Sequence, residues 1–177
     1  LCQKHDMLLV YDEIQTGFGR LGKMFATELY GTVPDILIFG KSIGGGSPLA
    51  GSLQPERLRG FEPGDHSFTF AHFPISMVAG LATLKAMEEE NHLENCRKMG
   101  AYFTERLLAL KDKYGLIGDV RGPGLMIGIE LVRNRETREP ANEETYRFVE
   151  EGFKRGVQFG HSKYGGMGNV VKIKPPL

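Results

Sequence analysis

The sequence has no excess of charge of either sign, no long apolar run and few cysteines. Its 177 residues include 22 lysines and arginines and 22 aspartates and glutamates. This balance gives no indication of a phosphate-rich partner or of an anionic membrane. No apolar stretch reaches the roughly 18 residues of a transmembrane helix, so none is predicted. Cys2 and Cys96 have no motif spacing and are most simply thiols of a cytoplasmic protein.

The sequence also lacks an initial methionine and a signal peptide. It enters an apolar run within a few residues of Leu1, and it stops at Leu177, shortly after the strand-like segment 170–173. An interior strand needs neighbours on both sides. We therefore expect this chain to be a fragment of a longer protein.

Two apolar runs each close on a charged residue and continue into glycine-rich sequence. The first run starts at Met7 and closes on Asp12, and the second starts at Pro34 and reaches Lys41. Such runs are typical of buried parallel strands. Ligands bind at the carboxyl ends of the strands in parallel sheets. Asp12 and Lys41 are therefore predicted to share one site.

An aspartate and a lysine in these positions suit a pyridoxal phosphate (PLP) enzyme. The lysine amine would hold the aldehyde, and the carboxylate would hold the pyridine nitrogen. Burial would lower the pKa of Lys41 and supply the unprotonated amine. Taken singly, Lys41 could instead begin a surface loop, and Asp12 could cap the next turn.

The triplet Gly40-Lys41-Ser42 raises a nucleotide phosphate loop as an alternative. That motif requires a glycine five residues before its second glycine, and position 35 holds Asp35. The other glycines follow the lysine instead of preceding it, so the alternative is disfavoured.

Other residues around these runs have both a functional and a structural interpretation. Glu13 could be part of a substrate pocket or a solvated neighbour, Ile14 could lie against a flat ring or belong to the core, and Gln15 could donate to a ring oxygen or cap a turn. Thr69 precedes a helix predicted to start at Pro74, where hydroxyls and amides suit phosphate binding, but a lone threonine there is commonly a turn residue. His66 and His72 are expected to be loop histidines, and no histidine or cysteine set has metal-ligand spacing.

The pattern predicts an α/β part followed by a small α+β unit, with the boundary in a helix near residues 90–112. The predicted strands are 36–40, 49–53, 125–132, 157–159 and 170–173, besides the first apolar run. Helices are predicted from Pro74, with a core face of Met77, Val78, Leu81, Leu84 and Met87, over 93–110, and over 145–155, with Tyr146, Val149 and Phe153 on one face.

Several motifs in order resemble the class-III (ornithine/4-aminobutyrate type) PLP-dependent aminotransferases. The resemblance covers the whole chain and implies the C-terminal part of a fold-type-I PLP-dependent transferase, with residues 1–100 from the large cofactor-binding domain and 101–177 from the small domain. The motifs are Asp12-Glu13-Ile14-Gln15-Thr16-Gly17-Phe18-Gly19-Arg20, Pro34-Asp35-Ile36, Gly40-Lys41-Ser42-Ile43-Gly44-Gly45-Gly46, Thr69-Phe70, Arg121-Gly122-Pro123-Gly124-Leu125 and Pro175-Pro176-Leu177.

The resemblance implies a role for each matching residue. Lys41 would hold the cofactor covalently and then transfer a proton, and Asp12 would pair with the pyridine nitrogen. Ile14 would pack on the ring face, and Gln15 would reach the ring oxygen. Thr69 would bind the phosphate across a subunit interface, which implies a homodimer.

One departure from the family pattern concerns substrate binding. Many relatives that bind an α-carboxylate have an arginine shortly before Pro-Pro-Leu, where this chain has Lys172. Lysine offers a point charge instead of a bidentate fork, unless Lys172 simply faces solvent. The expected activity is transamination between an amine or ω-amino acid and a 2-oxo acid. Racemization, (phospho)lyase activity and an inactive fragment without cofactor remain as alternatives.

Overall fold

The computed structural model describes residues 1–58, 60–62, 64–66, 69–162 and 168–177, which form two compact units, 1–93 and 94–177. Short 3₁₀ helices occur in the first unit at Gln3–His5, Lys41–Gly44 and Glu56–Leu58. Its strands and longer helices are, in chain order, β1 (Val10–Asp12), α1 (Ala26–Tyr30), β2 (Ile36–Phe39), β3 (Gly51–Leu53) and α2 (Pro74–Glu89).

The second unit is an antiparallel sheet with two helices. Its strand order is β4-β5-β8-β7, and β6 pairs with β5. Its elements are α3 (His92–Lys113), which begins at the boundary, then β4 (Ile117–Arg121), β5 (Ile127–Asn134), β6 (Glu139–Pro140), α4 (Asn142–Lys154), β7 (Gly160–His161) and β8 (Val170–Ile173).

β1 and β2 are parallel neighbours, as the two apolar runs predict. Asp12 pairs with Ile38, and the Glu13 amide extends the ladder by donating to the Ile38 carbonyl at 2.8 Å. β3 pairs antiparallel with the other side of β2. Within the described residues β1 is thus an edge strand, and Val10 is 48% exposed. The prediction that β1 is a buried interior strand is therefore wrong for this structure.

The residues after β1 fold back over the sheet around Phe18. The Phe18 ring packs edge-on against Phe25 and Phe39, at centroid distances of 5.2 and 5.8 Å. Ile43 and Met87 complete this buried cluster. Because Ile43 belongs to it, the cluster anchors the 3₁₀ helix that begins at Lys41.

α2 packs through small residues and not through its apolar stripe. Ser76, Gly80 and Met87 are buried. A Cβ on Gly80 would lie 2.6 Å from Leu49 Cδ2, so a larger residue would displace the Leu49 side chain in the segment after Lys41. The predicted core face is wrong except at Met87, because the other members of the stripe are exposed: Met77, Val78, Leu81 and Leu84.

The second unit has its own core beneath the β5 and β8 strands. On α3, Cys96 and Leu107 are buried, whereas Leu110 is exposed. On α4 the fully buried residue is Thr145, whose hydroxyl donates to the Ala141 carbonyl at 2.8 Å, whereas Tyr146 and Phe153 are exposed. The core cluster comprises Leu107, Val120, Ile127, Ile129, Leu131, Ala141 and Val171.

The predicted strands of this unit need correction, because one was misplaced and β4 was not predicted. Segment 157–159 is not a strand, and the strand of this region is Gly160–His161. β4 was missed, since Gly118 and Asp119 interrupt its apolar pattern. The register with β5 shifts between Ile117 and Asp119, and at Gly118 a Cβ would lie 2.7 Å from a Val132 methyl group, so the glycine suits this irregularity. Among the described residues, no helix is both long and apolar enough to cross a bilayer.

Candidate active site

The carboxyl ends of β1 and β2 bring Asp12 and Lys41 to the same edge of the sheet. Asp12 is the last residue of β1 and is level with Ile38 on β2. Lys41 follows Ile38 by three residues, beyond the end of β2. Neighbouring strands lie about 4.8 Å apart. The two side chains therefore start from adjacent strand ends.

Lys41 has an unusual backbone conformation. Its φ of 52° lies in the left-handed region, which costs a non-glycine residue about 1–3 kcal/mol and is concentrated at functional sites. The expectation of a buried lysine is wrong for this structure, because the residue is exposed. The chain therefore passes from the buried Gly40 to an exposed Lys41 at the end of the strand.

Asp12 caps the turn that follows β1. Its Oδ1 accepts a hydrogen bond from the Ile14 amide at 3.0 Å, the structural role considered from sequence. This bond uses one carboxylate oxygen, and the residue is exposed. The capping bond orients the carboxylate at the strand end, so the capping and cofactor-binding roles are compatible.

Ile14 lies against the strand that carries Lys41, and Gln15 is exposed beside it. The Ile14 Cγ2 atom is 3.6 Å from the point that a Cβ on Gly40 would occupy. The structure therefore brings Ile14 next to the Gly40-Lys41 step.

Glu13 is a structural residue. It is 1% exposed, its Oε2 accepts from the Thr16 hydroxyl at 2.5 Å, and its Oε1 accepts from the Thr27 amide at 3.0 Å. The suggested substrate contact is therefore wrong for this structure, since one oxygen already binds Thr16 in the loop after β1 and the other binds Thr27 of α1. Glu13 stabilises the loop that follows Asp12.

A cavity of about 460 Å³ opens beside Lys41 within the first unit. Thr69 is exposed and directly precedes Phe70 of the cavity wall. Ser67 and Phe68, which belong to the same predicted phosphate segment, lie outside the described residues. The cavity is lined by Lys41, Ser47, Pro48, Leu49, Ala50, Phe70, His72, Phe73, Ser76 and Met77.

Sequence reasoning missed Ser76. The residue is 2% exposed, and within the described part of the chain its hydroxyl has no hydrogen-bond partner. Its place in the first turn of α2 follows from Pro74, but its position on the wall of the Lys41 cavity depends on how α2 packs. No local sequence signal reports that packing.

Lys172 lies on β8 in the second unit. It pairs with Gly128 of β5 and with Gly160 of β7, and it is half-buried. It therefore occupies the middle of a sheet and not a solvent-facing strand end. Lys172 also borders a largely apolar cavity of about 680 Å³ between the sheet and the helices of that unit.

Comparison with known proteins establishes the family. The family described as aminotransferase class III matches residues 1–177. The chain is a class-III aminotransferase family member. The sequence resemblance and the fold-type-I assignment are both confirmed, and the family is PLP-dependent.

Class-III relatives match the entire chain but extend well beyond it. A leucine/methionine racemase of Thermococcus litoralis is 40% identical over 100% of this chain and 39% of its own length. The 4-aminobutyrate aminotransferase GabT of Escherichia coli is 39% identical over 100% of this chain and 41% of its own. The chain thus spans about two fifths of the length of these curated relatives.

Solved class-III structures share the fold. An amine transaminase from an uncultivated Pseudomonas species, solved in the PLP-bound form, superimposes with a TM-score of 0.87 at 34% identity, covering 99% of this chain and 41% of its own. This chain and that transaminase therefore share the fold that contains the β1–β2 pair.

Proposed function

We propose that this chain belongs to a PLP-dependent transaminase that moves an amino group between an amine or ω-amino acid and a 2-oxo acid. The observation that carries the proposal is the placement of Asp12 and Lys41 at the carboxyl ends of adjacent parallel strands. Family membership supports the same reaction class. The amino donor is a small molecule, as is the 2-oxo acid acceptor.

The residues at this edge fit PLP. Lys41 offers an amine beside a cavity of about 460 Å³, Asp12 offers a carboxylate oriented by its turn, and Ile14 offers an aliphatic surface. Gln15 is exposed beside them and can donate to the ring oxygen. When bound, PLP supplies an electron sink for bonds at the substrate's α-carbon.

Lys41 has two tasks in this proposal. Its amine would hold the cofactor covalently and, when free of it, would move a proton at the substrate's α-carbon. The left-handed backbone at Lys41 fixes the direction in which the side chain leaves the strand. Asp12 keeps the pyridine nitrogen protonated by placing a negative charge against it.

The dimer forms the second part of the proposal. Thr69 would contact the cofactor phosphate of a second subunit. The apolar face of α2 supports this, since Val78 and Leu81 are 66% and 70% exposed and Phe70, next to Thr69, is 74% exposed. Large exposed apolar side chains of this kind are typical of a protein interface.

Lys172 is proposed as a contact for an anionic group of the substrate. Its half-buried position in the middle of the sheet supports this. The ammonium group of lysine lacks the bidentate geometry of arginine. We therefore favour a substrate whose α-carboxylate is not held by the usual bidentate contact.

We further assign residues 1–100 to the large domain and 101–177 to the small domain. We also propose a cytoplasmic location, in line with Cys2 and Cys96 being thiols.

A racemase is the second candidate function. It is favoured by the 40% identity of the whole chain to the leucine/methionine racemase. Racemization needs the same lysine and aspartate, but the proton returns to the α-carbon itself. Incubation of the complete protein with one enantiomer of leucine, followed by chiral chromatography, separates the two activities.

Borohydride reduction tests the cofactor assignment. The complete protein, saturated with PLP, is reduced, digested and mapped by mass spectrometry. The expected result is the cofactor mass on the peptide that contains Lys41. An unmodified Lys41 would contradict the proposal. The isolated 177-residue chain, treated in the same way, tests whether it is an inactive fragment.

A further inference from the structure

Ser76 is a buried residue of the Lys41 cavity wall whose hydroxyl is unused. Its side chain borders the same space as Lys41 and Phe73. The residue is 2% exposed, and its Oγ has no hydrogen-bond partner among the described residues. Buried polar groups are nearly always paired in native proteins, so an orphan group at a cavity wall indicates a ligand.

The first turn of α2 adds further donors at the same place. α2 is 16 residues long, begins with Pro74, and receives no side-chain hydrogen bond from its N-cap residue Phe73. The first amides of a helix have no intrahelical acceptor, and the helix dipole favours negative charge there. Pro74 has no N–H, and the Met77 amide already donates to the Phe73 carbonyl at 3.2 Å. The Ser76 hydroxyl and the Ile75 and Ser76 amides of this turn can therefore serve one ligand.

The charge and backbone of the cavity favour an oxyanion. None of the residues that line the cavity is acidic, so no carboxylate of the wall repels an anion. Lys41 and His72, both on the cavity wall, have left-handed backbones, with φ of 52° and 59°. Such conformations are concentrated at binding and catalytic sites.

We propose that Ser76 and the first turn of α2 form an oxyanion subsite that holds the carboxylate of an amino-acid substrate. This deepens the proposed transaminase function and rests on it. A carboxylate needs two or three donors, which the hydroxyl and the turn can supply. The phosphate of the cofactor has the same chemistry, but Thr69 is the residue proposed for it.

Donor pairs that differ only in the carboxylate test this subsite. The complete PLP-loaded protein is compared as wild type, Ser76→Ala and Ser76→Thr, with alanine against ethylamine and 4-aminobutyrate against propylamine. Ser76→Ala should raise KM about tenfold for the amino acid of a pair and leave its amine unchanged. Ser76→Thr keeps the hydroxyl and should restore the wild-type KM. Ser52→Ala, on the exposed strand β3, is the matched control.

A second readout needs no turnover. The apo protein should show a higher Tm with acetate, and this shift should be lost in Ser76→Ala and kept in Ser76→Thr. An equal KM effect on acid and amine, or no effect on either, overturns the subsite. If PLP binds tenfold more weakly while the KM values stay unchanged, the hydroxyl contacts the cofactor phosphate. That result would overturn the proposed contact with the substrate carboxylate. Lys41 labelling in the same variants shows separately whether the transaminase proposal stands.

Discussion

Asp12 and Ile38 face each other across two parallel strands, and this pairing places Asp12 beside the strand end that leads to Lys41. Asp12 and Lys41 are 29 positions apart in sequence. Parallel strands end at the same edge of a sheet, so side chains at the ends of neighbouring strands lie close together although they are distant in sequence.

Replacement of Lys41 by alanine should abolish covalent PLP attachment and lower the transamination rate. The loss of a positioned proton-transfer group costs about 10²–10⁴-fold in rate. Stopped-flow absorbance of the half-reaction measures the effect. Lys23→Ala, at an exposed lysine of the first unit, is the control. A Lys41→Ala protein with near wild-type turnover would exclude the proposed role.

Asp12→Asn should keep the turn but remove the negative charge. The amide oxygen can still accept from the Ile14 amide, so the unfolding free energy should change little. Loss of one aligned electrostatic group costs about 10²–10³-fold in kcat. Parallel denaturation and kinetic measurements check this separation. A stability loss large enough to account for the rate would assign Asp12 to the turn alone.

Glu13→Gln should affect folding more than substrate binding. The substitution weakens the bonds that Oε1 and Oε2 accept from the Thr27 amide and the Thr16 hydroxyl. A buried group left imperfectly paired costs about 1–3 kcal/mol. Urea denaturation should show this loss, with KM unchanged, whereas Glu56→Gln at an exposed site should be neutral. A raised KM at full stability would restore the substrate role.

Gly100→Ala should destabilise the second unit despite the higher helix propensity of alanine. In an open helix the change would gain about 1 kcal/mol. Here the new Cβ would lie 2.5 Å from the Gly124 carbonyl oxygen. Backbone cannot move aside cheaply, so the net loss should be about 1–3 kcal/mol. The thermal midpoint measures it, and Gly115→Ala, which meets nothing within 4 Å, is the control.

Asp35 should make the first unit sensitive to acid. The hydrogen bond from the Leu9 amide, and then the Arg57 guanidinium, lower the pKa of Asp35 below its ordinary 3.8. Because the folded-state pKa is lowered, the stabilisation is present above 3.8 and is lost as the pH falls below it. The Asp35→Asn variant should be less stable at neutral pH. Its free energy of unfolding should also change less than that of the wild type as the pH falls below 3.8. Urea titrations from pH 7 to about pH 2 test this, with Asp112→Asn as control.

The parts of the site that sequence predicts are those governed by local patterns. The apolar runs before Asp12 and Lys41 predict strands, and the rule for parallel sheets then joins their ends. The family motifs that begin at these residues predicted the fold class. Burial was predicted less well, as Lys41 and the apolar face of α2 show. Helical spacing identifies residues that share a face, but it does not say which face another segment covers.

The amino-acid sequence by itself determined the order of the motifs, the strand-end positions of Asp12 and Lys41, and membership of the class-III aminotransferases. Only the tertiary structure decided that Glu13 is clamped by Thr16 and Thr27, that β4 forms through Gly118, and that Ser76 borders the Lys41 cavity with its hydroxyl unused. The physical reason is that the two kinds of feature depend on interactions over different distances along the sequence. Strand and turn chemistry depends on neighbours along the chain, whereas burial depends on segments brought together from distant parts of it.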